Sequence, residues 1–229
     1  SDLVRGSGVP LQSMDSLCLT VMDEGTTTSQ LPAAAAENCH IGAYRLADGK
    51  VLDIGPSTGD TLRWRLESGE PGSLAPSQAG GWTSRFGWTG RPDGRVVELG
   101  DCASGTLRFD GSQARRIPFQ TTETAFMAGD VKLVGRLVLP PGSAPVPIVV
   151  LIPGAARDSA RDLNPLQRIL PAMGVGAFVY DKRGTGRSGG VYTQDFTRLA
   201  RDAVLATHEA RRLAGRRAGR VGYQGGSQG

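Results

Sequence analysis

The stretch "YQGGSQG" at positions 223–229 contains Gly225-Gly226-Ser227-Gln228-Gly229, a G-x-S-x-G pattern. A serine flanked in this way can sit on a tight turn between a strand and a helix, its hydroxyl held out as a nucleophile. The glycines are needed because strand and helix approach too closely there for larger side chains. With 33 glycines in 229 residues the bare pattern arises readily by chance, so its context must decide. "RVGYQG", directly upstream, reads as the strand that such a turn requires. A serine nucleophile also needs a base to take its proton and a carboxylate to orient that base. The only histidines are His40 and His208, both upstream of Ser227. His208 falls off the apolar side of a predicted helix, and His40 lies in a β-rich region. Neither is expected to serve Ser227.

Two further segments belong with the serine. "IVVLIPGAARDS" places Pro153-Gly154-Ala155 at the end of a continuous apolar run, the mark of a central strand covered on both faces. "VYDKRGTGRSGG" places Asp181-x-Arg183-Gly184-x-Gly186-x-Ser188 at the end of the next strand. Together with the G-x-S-x-G these segments resemble the α/β-hydrolase family, in the branch whose strand ends read H-G-x and D-x-R-G-x-G-x-S. The resemblance covers about residues 120–229 and runs in the family's order. It implies acyl transfer through Ser227, with the backbone N–H groups of Ala155 and Gln228 as oxyanion donors. Gly154, Asp181, Arg183, Gly184, Gly225 and Gly229 take structural places beside the site. Pro153 departs from the family's usual histidine. The resemblance also implies that the acid and the histidine follow the nucleophile, so the chain is expected to be the N-terminal part of a larger hydrolase. A sheet ending on its nucleophile strand would leave that strand as an open edge.

Gly184-x-Gly186-x-x-Gly189 is also a formal dinucleotide fingerprint. Against that reading, Asp181, Lys182 and Arg183 separate strand from glycine, and five more residues precede the helix. The helix N-terminus is therefore not aimed at a pyrophosphate. No cofactor and no metal is expected. Cys39-His40 beside Cys18 hints at a metal, but no fourth ligand is apparent. A Cys18–Cys39 disulfide with Cys102 buried and free is the plainer reading, and it suits an extracytoplasmic protein.

The elements that would hold these groups follow from the patterning. Positions 1–16 show no period and read as a disordered or tag-derived terminus. Positions 17–117 carry short alternating runs broken by Asp48-Gly49, Asp93-Gly94 and Asp110-Gly111, each read as a hairpin turn. An antiparallel module of about six to eight strands is expected, resembling the small lipocalin-like β modules appended to some serine hydrolases. Trp64 should lie in its core, and Trp82 and Trp88 either join it there or leave at least one ring partly exposed at a hydrophobic mouth or against the neighbouring domain. Positions 118–229 alternate strand and helix after a hairpin at Gly129-Asp130. That is the grammar of an open α/β sheet, here the first half of an α/β-hydrolase sheet. In the helix "DFTRLARDAVLATHEARRLAG", Phe196, Leu199, Ala200, Ala203, Thr207, Ala210 and Ala214 share the apolar side, with Arg201, Glu209 and Arg212 opposite.

The net charge is +4, and almost all of the positive charge is arginine. The run Arg211, Arg212, Arg216, Arg217 and Arg220 suits a helix end. No aromatics interleave with it, so no nucleic-acid partner is expected. No apolar run reaches the length of a membrane span. The expected partners are a small acyl substrate and, as one option, a second polypeptide completing the sheet. A carboxylic ester is the favoured substrate, a serine aminopeptidase-like activity the alternative, and a non-catalytic binding role the reading of another class.

Overall fold

The computed structural model describes residues 38–77, 81–87 and 89–229. Positions 1–16, Cys18 and Trp88 lie outside them. The first half builds eight strands: β1 (Gly42–Leu46), β2 (Val51–Pro56), β3 (Leu62–Leu66), β4 (Pro71–Pro76), β5 (Trp82–Phe86), β6 (Val97–Leu99), β7 (Thr106–Phe109) and β8 (Ser112–Arg116). They form one sheet in the order β5-β4-β3-β2-β1-β8-β7-β6, every neighbouring pair antiparallel. The meander curls into a near-barrel whose seam lies between β5 and β6.

Period-two alternation drives this arrangement. In β3, Leu62 and Trp64 point inward while Arg63 and Arg65 point out. Trp64 is buried and packs edge-on against Phe109, with its indole N–H donated to Ser84 at 2.8 Å. A Cβ on Gly72 would fall 2.2 Å from that indole, so only glycine fits opposite it on β4. Trp82 is half-buried against the same core.

Asp93-Gly94 does not make the expected hairpin, because β5 and β6 are not paired. The Asp93 carboxylate instead accepts from Ser84 Oγ at 2.8 Å and from the Arg95 amide at 2.9 Å, folding the connection back on itself. The disulfide also differs from expectation. Cys39 bonds Cys102, with Cα atoms 5.7 Å apart, and Cys102 is exposed rather than buried. The pairing of β1 with β8 and of β8 with β7 brings those two segments together, a proximity no sequence spacing encodes. His40, Cys39 and Cys102 cluster within 4.8 Å, but both sulfurs are spent on the disulfide.

The second sheet comprises β9 (Gln120–Ala128), β10 (Val131–Leu139), β11 (Val146–Ile152), β12 (Gly176–Tyr180) and β13 (Ala218–Gly225), in the order β13-β11-β12-β10-β9. Parallel pairing is confined to β11 with β12 and β13, while β10 runs antiparallel to β12 and β9. The sheet is mixed, and most strand pairings in the described residues are antiparallel. Helices α1 (Ala160–Leu163), α2 (Leu166–Ala172) and α3 (Phe196–Ala214) accompany it. On one face Leu151, Ala177 and Val179 meet Ala160, Leu166 and Leu170. On the other, Ile148, Val150, Phe178 and Tyr180 meet Ala206, Ala210 and Ala214. Both faces of β12 are thus covered, which explains its unbroken apolar run. β13 lies at the sheet edge. No described helix is long and apolar enough to cross a membrane.

The buried side of α3 matches its apolar residues only in part. Thr207, Ala210 and Ala214 are buried as expected, but Phe196 and Ala200 are exposed, and Asp202 and Glu209 are buried. Partners decide this: Asp202 binds Arg183, and Glu209 accepts from Thr124 on β9 and from Arg212.

β2 is buried along its whole length because it faces the barrel core on one side and α2 on the other. On that outer side Arg168 of α2 grips the Asp53 carboxylate through two hydrogen bonds. A Cβ on Gly55 would stand 2.7 Å from Arg168 Nη2, so glycine lets the guanidinium pass. Arg63 Nη2 donates to Leu163 O at 2.7 Å, and Arg45 to Ala172 O, fastening the two sheets further.

Glu123 on β9 accepts from Arg136 on β10 and from Arg161 on α1, the latter at 2.7 Å. Burial opposes its ionisation, but the two guanidinium groups outweigh that and hold its carboxyl below the ordinary 4.5. A depressed carboxyl stabilises the fold above the unfolded-state pKa and loses that contribution as pH falls through the folded value. Glu123→Gln should therefore lower the urea midpoint at neutral pH, and the gap from wild type should close as pH falls below about 4. A gap of constant size across that range would show that the charge contributes nothing.

Candidate active site

β13 ends at Gly225, and the chain turns at once, closing with a bond from the Gly229 amide to Gly226 O at 3.1 Å. Ser227 sits in this turn with φ +59°. Among the described non-glycine residues only Asp110, in a β-hairpin turn, shares a positive φ. A serine gains nothing from the left-handed region and pays roughly 1 kcal/mol or more to occupy it, so the surroundings must impose the conformation. They do. A Cβ on Gly225 would stand 2.3 Å from the Gly229 carbonyl carbon, and one on Gly229 would stand 2.6 Å from Ile152 O. The strand, the turn and the end of β11 are in backbone contact, leaving the Ser227 side chain exposed at the tip.

The segment after β11 packs against this turn. A Cβ on Gly154 would lie 3.1 Å from Gly226 O and 3.9 Å from Ser227 Cβ. Lys182, directly after β12, ties the two together. Its ammonium donates to Gly154 O at 2.7 Å and to the Gln228 side-chain oxygen at 2.9 Å. The Tyr192 ring covers that ammonium at 4.4 Å and takes Arg157 at 4.0 Å, while its hydroxyl donates to Ala155 O at 2.8 Å. Burial pushes the Lys182 pKa below the usual lysine range, partly opposed by Tyr192. The Tyr192 hydroxyl is held below its usual value by a bond from Gln194 and by the Lys182 charge. Gly154, Ala155, Ser227 and Gln228 are thus gathered on one side of the sheet end. The amide N–H groups of Ala155 and Gln228 donate to no acceptor among the described residues.

Asp181, Arg183 and Gly184 lie behind this front and do not touch the turn. The Asp181 carboxylate is fully buried, accepting from Ser159 Oγ at 2.8 Å and from the amides of Arg161 and Arg187 at 3.1 Å each. Arg183 makes a two-pronged pair with Asp202 of α3 at 2.8 and 2.7 Å. Gly184 has φ +71°, and a Cβ there would stand 2.0 Å from the Tyr192 amide nitrogen. These groups fix the loop that presents Lys182 and Tyr192. Sequence reasoning passed over both. One signal was available: Lys182 is one of three lysines in an arginine-rich chain, placed in the variable position of D-x-R-G.

Neither histidine approaches Ser227. His40 Nε2 binds Gly100 O at 2.8 Å in the near-barrel, and His208 is exposed on α3. Two cavities flank the turn. One, of about 440 Å³, is walled by Gly154, Gln224 and Gly226 and by Arg63 and Arg65 of β3. The other, of about 400 Å³, is walled by Gln228, Gly229, Tyr223 and the apolar residues Phe196, Leu199 and Val204 of α3.

No protein-family model matches the chain, and no curated protein matches it either. Among solved structures, an esterase of Pyrococcus furiosus is 23% identical over 48% of this chain and 43% of its own, with a TM-score of 0.42. A dienelactone hydrolase from Anabaena variabilis is 23% identical over 48% of this chain and 52% of its own, with a TM-score of 0.38. An acylaminoacyl peptidase from Pyrococcus horikoshii is 15% identical over 77% of this chain and 38% of its own, also at 0.38. The chain spans about half or less of the length of each of these proteins. What singles out this site is therefore its own geometry.

Proposed function

We propose that this chain carries the nucleophile half of a serine hydrolase acting on a carboxylic ester, with Ser227 forming an acyl-enzyme. The observation that carries the reading is the left-handed Ser227, held at a strand end by glycines that tolerate no side chain. Ser227 Oγ attacks the ester carbonyl and gives up its proton to a base. The carbonyl oxygen, now anionic, is received by the free amides of Ala155 and Gln228. Collapse of the adduct expels the alcohol, protonated by the same base, and water then releases the acid. The base and its orienting carboxylate come from residues following Gly229 or from a second polypeptide, since His40 and His208 are both engaged or remote. Residues 17–117, of which 17–37 lie outside the described residues, serve in this reading as an accessory β module of lipocalin-like kind, and 118–229 belong to the hydrolase unit.

A fluorophosphonate probe applied to the full-length protein should label it, and Ser227→Ala should abolish the labelling. Equal labelling of both proteins ends this reading. Labelling of neither leaves the chain as a non-catalytic binding protein.

Lys182 acts here as a positioning residue, because its ammonium joins the loop of one oxyanion donor to the side chain beside the other. Lys182→Met should lower kcat about tenfold with KM within about twofold, since the bond it supports matters most in the transition state. Lys182→Arg should recover part of the loss. A change confined to KM would place Lys182 in substrate binding instead.

A further inference from the structure

We infer that the cavity between β3 and the serine turn receives a carboxylate borne on the acyl part of the substrate, and that Arg63 and Arg65 select it. The inference rests on the proposed reaction at Ser227. One wall of this cavity is Gly226, next to the nucleophile in the chain, and Gly154, whose Cβ would lie 3.9 Å from Ser227 Cβ, so a group lodged there borders the serine turn. The opposite wall is β3, whose i, i+2 residues Arg63 and Arg65 share the outward face.

The two arginines are not neutralised. Arg168, nearby on the same side, is matched by Asp53. Arg63 spends one nitrogen on Leu163 O, while its Nε is buried without a hydrogen-bond partner. Burial first, then the charge of Arg168 and more weakly that of Arg65, push the Arg63 pKa downward, and Asp53 only partly opposes this. The Arg65 side chain makes no hydrogen bond or ion pair among the described residues. The one acid on the cavity wall is Asp158, which is exposed and also without a partner among them. Two guanidinium groups thus face one peripheral carboxylate. A substrate carboxylate would meet planar donors suited to two-pronged binding and would relieve their mutual repulsion. The volume accommodates an acyl chain of several carbons ending in that group.

The test uses the full-length protein and two p-nitrophenyl esters of matched length, the pentanoate and the glutarate monoester. Wild type should prefer the glutarate in kcat/KM by about tenfold, a charge-assisted contact of ordinary strength. Arg65→Gln should abolish the preference by raising KM for the glutarate, with pentanoate turnover within about twofold of wild type. Arg65→Lys should retain much of it, and about 0.5 M salt should narrow it in wild type. Because the Arg65 side chain makes no hydrogen bond or ion pair among the described residues, Arg65→Gln removes no polar contact that holds β3 in place, and an unchanged urea midpoint checks that the fold is kept. Equal rates on both esters in wild type, or a preference that survives Arg65→Gln, overturns the inference while pentanoate hydrolysis and Ser227 labelling persist. Loss of labelling and of both activities in wild type overturns the proposed reaction itself.

Discussion

Asp202→Ala is expected to destabilise the protein by about 3–5 kcal/mol and to abolish labelling at Ser227, because it leaves a buried guanidinium without its anion. Arg183 and Asp202 are both nearly inaccessible, and two hydrogen bonds join them. Arg183 cannot shed its proton to escape the low-dielectric surroundings. It must instead pull its loop toward water, and that loop carries Lys182 and the backbone under Tyr192. The damage therefore reaches the serine turn although Asp202 touches none of it. Urea unfolding and probe labelling of the variant measure the two parts separately. Replacing both members together, as Arg183→Met with Asp202→Leu, should restore most of the stability, since a matched apolar pair carries no uncompensated charge. A double variant as unstable as Asp202→Ala would mean that the pair acts through something other than charge.

Arg168→Ala is expected to be comparably destabilising, again by about 3–5 kcal/mol, but to leave the chemistry in place. It strands the Asp53 carboxylate, which is 2% exposed, between β2 and α2. For a protein of this size the loss corresponds to a fall in Tm of roughly 6–20 °C. The remaining links between the sheets, from Arg63 to Leu163 and from Arg45 to Ala172, hold weakly by themselves. Below the melting transition, labelling at Ser227 should persist, because no part of the serine turn contacts Asp53 or Arg168. Thermal melts with a labelling time course distinguish the cases. An unchanged Tm would show that the Arg168–Asp53 pair contributes nothing to holding β2 against α2.

The sequence by itself determined what depends on near neighbours in the chain. Alternation placed Trp64 inside and Arg63 and Arg65 outside, since successive residues of a strand point to opposite faces. Continuous apolar runs marked β11 and β12, because a strand covered on both faces has no polar side. The G-x-S-x-G located the serine turn, whose steric demand is local and legible as glycine. The tertiary structure alone decided what depends on partners distant in the chain. Helical projection sets Glu209 opposite the apolar side, yet Thr124 and Arg212 make its burial favourable, as Arg183 does for Asp202. Asp93-Gly94 carried a hairpin's composition, but a side chain of β5 took the aspartate and the strands on either side never paired. Cys39 found Cys102 rather than a neighbour in sequence because strand order, not spacing, sets which segments meet. Lys182 joined Gly154 to Gln228 for the same reason: the parallel strands β11, β12 and β13 end side by side. Residues 28 and 46 positions apart thereby fall within one ammonium's reach. Propensity and patterning act over a few residues, whereas a buried charge is placed by whichever counter-charge the fold brings to it.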